Sequence, residues 1–334
     1  MPTFGYFLSC EEFGPRELVR QAKLAEQAGF ERLWISDHFH PWNDQQGESP
    51  LVWSVIGALS EATSLPVTTA VTCPTTRIHP AVIAQAAATA AVQLRGGFVL
   101  GVGSGEALNE HILGDTWPSA PKRLAMLEEA VEVIRALHRG GQVDYDGEHY
   151  TVRDARIYTL PPGDEPVPIY VSGFGRRSAT LAGRIGDGFI SVKPDRELLD
   201  IFRAAGGRDR PTQGGLKLCY GRDEADAVAT AYRLWPNDQL PGELAQVLPT
   251  PRHFEQASGL VTRDQIASAV PCGPDTKPHV DAINQFVDAG YDEVYVQQIG
   301  PDQEAFFEFW SERLADEVGA TRHPAAEPVG SKLL

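Results

Sequence analysis

Apolar positions along the chain change period repeatedly. TFGYFL, near the start, is short, aromatic and β-prone, whereas GPRELVRQAKLAEQAGF after it returns leucine and alanine every three or four residues. Proline stands where that second segment would begin a helix and Gly29 just past where it would end, so strand followed by helix is expected. Leu18, Ala22 and Ala25 recur on one face and should point into a core. The alternation then continues with RLWIS and a helix from about Pro50, VTTAVT and a helix from Pro80 through Leu94, and FVLGVG with, after a long loop, a helix near Leu124 to Leu137.

GGQVDYDGEHYTVRDARIYTLPPGDEPV breaks this rhythm with short alternating runs and the turn signal YDG, which reads as a small inserted hairpin. PIYVSG, GFISV, LKLCYG and EVYVQQI then supply four further apolar strands, most followed by a helical pattern such as GRRSATLAGRIG. Eight strand–helix units predict an α/β fold, a (β/α)8 TIM barrel whose active site lies at the C-terminal strand ends. The barrel is expected as one domain over 1–320, with insertions at about 104–120, 140–167 and 236–270 on that face and a frayed tail over 321–334.

Composition narrows the function. The 334 residues are 42% apolar and 22% charged, ordinary globular values, and no apolar run approaches the length of a membrane span. MPTFGYFLSCEEF does not read as a secretion signal, so a soluble, cytoplasmic protein is expected. With 45 acidic and 29 basic side chains the net charge is -16, which repels nucleic acid and anionic lipid. An anionic ligand would need local cations or backbone N–H groups, and Arg176, Arg177 and Lys193 are candidates. Cys10, Cys73, Cys219 and Cys272 show no C-x-x-C spacing, which argues against a zinc site, a redox pair or a disulfide framework. No H-E-x-x-H, G-x-S-x-G or P-loop is present, so metal, hydrolase and kinase chemistry are not expected.

Chemistry-bearing residues gather at the ends of the expected strands. SDHFHPW follows the second strand and offers His38 or His40 as a group that exchanges protons near neutral pH, although a lone histidine there can equally cap a helix. Trp42 can be a pocket wall or ordinary packing. GVGSGEALNE after the fourth strand allows close backbone approach without the G-x-G-x-x-G spacing, and its Glu106 is a candidate acid or a helix N-terminal charge. SCEEF puts Glu11 or Glu12 on the same face, and SGFGRRS after the fifth barrel strand opens a helix that could hold a phosphate.

PRELV, SDHFHPW, HPAVIAQA, GVGSGEALNE, VDYDGEHY and LAGRIGDGFI together resemble the luciferase-like barrel enzymes that use the deazaflavin coenzyme F420, in the branch typified by F420-dependent glucose-6-phosphate dehydrogenase. The resemblance covers most of the chain and weakens beyond Asp195. It implies that His38 and Trp42 flank the reacting face of the cofactor, with Glu106 as acid or base and Glu11 as a further pocket carboxylate, leaving open whether His38 or Glu106 takes the substrate proton. It implies a non-proline cis peptide at Ala70 and Val71 behind the ring. Ring and phosphate contacts fall on Asp37, His38, Gly103, Ser104, Gly105, Glu106, Asn109, Ser172, Gly173, Phe174, Gly175 and Arg176. His40 stands where the typical motif has glutamine and takes a structural or tuning role.

Sugar-phosphate members grip phosphate with three cations. Lys193 matches the first, but Ala245 and Ala269 occupy the other two positions, and one lysine holds a dianion poorly in an acidic protein. The resemblance therefore implies an F420-dependent dehydrogenase, a homodimer, acting on an alcohol or sugar hemiacetal held by Lys193 and Trp42, or on an anion held through Arg252 or Arg263. The alternatives are F420-dependent glucose-6-phosphate dehydrogenase proper, an FMN-dependent luciferase-like monooxygenase, and a barrel retained only as a binding scaffold.

Overall fold

The computed structural model describes residues 2–163 and 166–320. The tail over 321–334 lies outside them. Eight parallel strands close into a barrel: β1 (Thr3–Leu8), β2 (Arg32–Ile35), β3 (Val67–Thr69), β4 (Phe98–Val102), β7 (Ile169–Ser172), β8 (Gly188–Ser191), β9 (Thr212–Leu218) and β10 (Glu293–Gln298), with β1 hydrogen-bonded to both β2 and β10. Two further strands, β5 (Val143–Asp146) and β6 (Thr151–Ala155), pair antiparallel as the inserted hairpin.

The first helix, Pro15–Gln27, has proline in its opening turn, and Leu18, Ala22 and Ala25 are fully buried against the barrel. Pro80–Gln93 also opens on proline, and His79 Nδ1 accepts from the Ala81 N–H at 3.1 Å, closing one of the donors a helix start leaves open. The helix foreseen near Leu124 runs over Ala120–His138.

The barrel interior is filled by aromatic rings facing glycines. Trp34 and Tyr295 stack at 4.3 Å and 11°. A Cβ on Gly215 would lie 2.2 Å from Trp34, and one on Gly5 2.3 Å from Tyr295. Only glycine leaves room for these rings between neighbouring strands. β9 accordingly begins earlier than the LKLCYG pattern suggests, at Thr212, because Gln213, Gly214 and Gly215 belong to the strand although they carry no apolar side chain. Gln213 accepts from Trp34 Nε1 at 2.9 Å and donates to Glu293 at 2.8 Å, and Tyr295 donates to the same carboxylate at 2.6 Å, so the polar atoms of this plug are paired.

At the C-terminal strand ends sit the short helix Ala107–Glu110 after β4 and the segment over 236–270, which contains the helices Leu244–Val247, Pro251–Ser258 and Arg263–Ala269. Cys219 and Cys272 are Cα partners in an isolated parallel bridge at this end and are not linked. Among the described residues no helix is long and apolar enough to cross a membrane.

Candidate active site

The ends of β1 and β2 build a carboxylate–imidazole pair. Glu11 is buried, and its Oε2 accepts from Ser9 Oγ at 2.8 Å and Ser36 Oγ at 2.7 Å. Ser36 is held in turn by the Cys10 N–H at 2.9 Å. Glu11 Oε1 lies 3.3 Å from His38 Nε2. Burial alone would raise the Glu11 pKa, but the His38 charge and the two hydroxyls outweigh it and hold the carboxyl below its ordinary value.

The other imidazole nitrogen is set by the loop after β4. Asn109 Oδ1 accepts from the Phe39 N–H at 2.8 Å and the His40 N–H at 3.2 Å, so its Nδ2 donates, and it lies 3.0 Å from His38 Nδ1. The His40 carbonyl is 3.3 Å from that same nitrogen. His38 Nδ1 thus faces a donor and an acceptor together. Glu106 caps the helix that carries Asn109, its carbonyl accepting from the Asn109 N–H at 3.2 Å. His40 turns away, with Nδ1 2.9 Å from the Leu108 carbonyl, and ties the two loops together. Trp42 packs on His38 with centroids 5.0 Å apart and on Phe254 at 5.0 Å.

Asp37 is buried among protein partners. Its Oδ1 accepts from Arg77 at 2.7 Å and Oδ2 from Thr72 Oγ1 at 2.8 Å. Arg77 also meets Glu110, whose Oε2 accepts the Arg77 N–H at 2.7 Å. Burial pushes the Glu110 carboxyl up to about 7 against the pull of Arg77, with Glu106 and Asp37 adding repulsion. The sequence reading missed Arg77, Thr72 and Glu110. The available signal was the need of Asp37, in a loop packed at a barrel mouth, for a cation.

The third, fourth and fifth barrel strands form a bed beside this cluster. The Ala70–Val71 peptide is cis, where the resemblance puts it. A Cβ on Gly103 would lie 2.7 Å from Val71 Cγ2 and 2.8 Å from Ser172 Oγ, so these three residues meet. Gly105 has φ 77°, which favours glycine, and Ser104 precedes it at the half-buried edge. Ser172 is 9% exposed, and its hydroxyl has no protein partner among the described residues. Gly173 donates to Ile190, Phe174 is exposed, and Gly175 caps the helix Arg176–Ile185. The glycine bed, the free hydroxyl and the helix start fit a flat ligand with an anionic arm. Arg176 pairs with Glu197 at the surface, and Lys193, also exposed, has Nζ 3.5 Å from the Phe174 carbonyl.

Glu12 does not join Glu11. Its carboxylate accepts from Trp235 Nε1, from Gln297 at 3.1 Å and from the Gly300 N–H at 2.8 Å, and burial, opposed by these bonds, raises it to about 7. Asn43 and Gln46, also unforeseen, both donate to the Leu234 carbonyl at 2.9 Å and fasten the SDHFHPW loop to the far wall. Ala245 and Ala269 lie on the short helices of that wall, Arg252 is exposed, and Arg263 stacks on Tyr232 at 5.7 Å. Arg263 lines a separate cavity of about 670 Å³ with Asn43, Arg233 and Glu255. Among the described residues no group of three or more His, Cys, Asp or Glu side chains could hold a metal ion.

A closed parallel barrel with a histidine–carboxylate pair beside a glycine-rich bed at its C-terminal mouth defines a (β/α)8 protein equipped to bind a planar cofactor. The sequence profile of the luciferase-like monooxygenase family matches residues 2–293, and the chain belongs to that family. It is 37% identical to the F420-dependent glucose-6-phosphate dehydrogenase of Microbacterium testaceum over 93% of this chain and 96% of the relative. The enzyme of the same description from Nocardia farcinica is also 37% identical, over 95% and 98%. Among solved structures, an F420-dependent secondary alcohol dehydrogenase in complex with an F420-acetone adduct superposes with TM-score 0.87 at 30% identity, over 95% of this chain and 99% of that one.

Proposed function

We propose that the protein is an F420-dependent dehydrogenase that removes hydride from an alcohol or a sugar hemiacetal. When bound, the deazaflavin supplies the hydride acceptor; the chain must aim the substrate C–H at it, take the O–H proton and exclude water. The observation that carries this reading is the environment of His38. As a cation its two N–H groups both find acceptors, Glu11 Oε1 on one side and the His40 carbonyl on the other, each at 3.3 Å. His38 is therefore the proton acceptor, and Glu11 is the counter-charge to its cationic form. Glu106 is the second acid or base beside the ring, and Trp42 is a wall against the substrate.

Ala70 and Val71, Gly103, Ser104, Gly105 and Asn109 would hold the cofactor's ring system, and Ser172, Gly173, Phe174, Gly175 and Arg176 would hold its phosphate. Asp37 serves the ring edge through the loop that Arg77 fixes. Lys193 is the cation for the substrate, and the alanines at 245 and 269 favour a neutral alcohol or sugar. The names of the relatives favour a second substrate, glucose 6-phosphate, bound at the same place. The working unit is a cytoplasmic homodimer.

Titration of the purified protein with F420 and with FMN separates a dehydrogenase from a monooxygenase. Tight deazaflavin binding, and bleaching of its oxidised chromophore in a screen of alcohols, sugars and sugar phosphates, is the expected result. Preference for FMN with no bleaching overturns it, and bleaching by dilute glucose 6-phosphate overturns only the neutral substrate.

A further inference from the structure

Two thiols far apart in sequence meet at the barrel rim. Cys219 directly follows β9, and Cys272 lies where the chain returns from the segment over 236–270. Their bridge is pinned on both sides, the Cys219 N–H donating to the Pro271 carbonyl at 2.8 Å and the Gly273 N–H to the Cys219 carbonyl at 2.9 Å. Paired residues in a ladder project to the same face across a backbone spacing of about 4.7–4.9 Å, inside the roughly 4.4–6.8 Å Cα separation that a disulfide accepts. Cys272 is 8% exposed and Cys219 1%, so an oxidant meets Cys272 first. Cys219 Sγ donates to the Ile299 carbonyl at 3.6 Å, and the Cys219 thiol beside it lowers the Cys272 thiol pKa against the opposing effect of burial. Packing alone explains two cysteines in a cluster with Leu234, Trp235 and Ile299, but not their register as direct bridge partners.

We propose that Cys219 and Cys272 are a redox-sensitive thiol pair that a peroxide closes to a disulfide. The Cys272 thiolate attacks one peroxide oxygen, the O–O bond breaks, and the departing hydroxide takes a proton to become water, leaving a sulfenic acid. Cys219 sulfur then attacks that sulfur. The S–S bond forms, the S–O bond breaks, and hydroxide leaves with the Cys219 proton as a second water. The two sulfurs together give up two electrons and the peroxide accepts them. A thiol reductant reverses the change by exchange, as suits a transient bond in a reducing compartment. The closed bond clamps the returning segment to the end of β9, in the cluster that holds Trp235 and packs on Trp42.

Thiol titration of the full-length protein, unfolded without reductant before and after hydrogen peroxide, tests this directly. Of the four cysteines, two are expected to disappear and to return with dithiothreitol. Non-reducing peptide mapping should join the peptides of Cys219 and Cys272. Cys219→Ser should stop at a sulfenic acid on Cys272, and Cys272→Ser should keep its remaining thiols. All four thiols surviving a dose that oxidises Met126, a bond to Cys10 or Cys73, or Cys272 passing to sulfinic acid in the wild type would each overturn the proposal. The readout is independent of dehydrogenase activity.

Discussion

Asn109 Nδ2 lies 3.0 Å from His38 Nδ1, and because Asn109 Oδ1 already accepts two backbone N–H groups, the amide cannot turn over. The neutral imidazole therefore rests with its proton on Nε2, facing Glu11. To act as a base it must shift that proton to Nδ1, where the His40 carbonyl waits at 3.3 Å. Two ready partners at one nitrogen keep the rearrangement small.

Asn109→Asp keeps an oxygen for the Phe39 and His40 N–H groups and turns the other toward Nδ1. An Nδ1–H tautomer is expected, read from long-range proton–nitrogen NMR correlations of the cofactor-free protein. An unchanged Nε2–H pattern would remove Asn109 from this role.

Glu11→Gln replaces an acceptor of three donors by a group whose NH2 must face at least one of them. A loss of about 1–3 kcal/mol at neutral pH is expected, from a buried hydrogen bond left unmade. Because the folded pKa of Glu11 lies below its ordinary value of 4.5, its contribution is present above that value and lost as pH falls through the depressed one. Denaturant curves of the two proteins should therefore converge in acid. Turnover should fall about 100-fold or more, since the cationic His38 loses its counter-charge.

How much of this was legible depended on whether the pattern was local. The strand–helix alternation, Pro15 and Pro80 at helix starts, and the core face of Leu18, Ala22 and Ala25 are local, and the structure contains them. The apolar pattern truncates β9 because Gly214 and Gly215 look like breakers until Trp34, Phe286 and Tyr291 are seen filling the space a Cβ would take. The choice between Glu11 and Glu12 turns on which adjacent carboxylate faces His38 and which faces Trp235, a matter of side-chain direction that spacing does not encode. Arg77 stayed invisible for the same reason: its partners, Asp37 and Glu110, come from two other strand ends. The pairing of Cys219 with Cys272 follows from how the insertion returns to the rim, not from C-x-x-C spacing.

Glu110→Gln tests the buried cluster through pH. The carboxyl is raised from 4.5 to about 7, so between those values the folded protein binds a proton that the unfolded chain has released. The wild type therefore loses stability as pH rises through that window, by up to about 3 kcal/mol at some 1.4 kcal/mol per pKa unit. Glutamine does not titrate. Unfolding free energies measured from pH 4.5 to 8 should show the variant gaining on the wild type as pH rises, whereas parallel curves would mean that Arg77 holds Glu110 ionised throughout.

Gly103→Ala probes the bed in which we place the deazaflavin. The new methyl would sit 2.7 Å from Val71 Cγ2 and 2.8 Å from Ser172 Oγ, and it can be accommodated only if those side chains move. Overpacking of this kind costs about 1–3 kcal/mol. The clash exists without ligand and is relieved by turning Val71 and Ser172 away from the methyl, so a lowered unfolding midpoint is expected together with a drop in F420 affinity of roughly 5- to 150-fold from the rearranged bed. Equilibrium titration with F420, alongside thermal unfolding without it, measures both. Unchanged affinity with a lowered midpoint would mean that the methyl strains the strand ends and that the cofactor lies elsewhere on the barrel mouth.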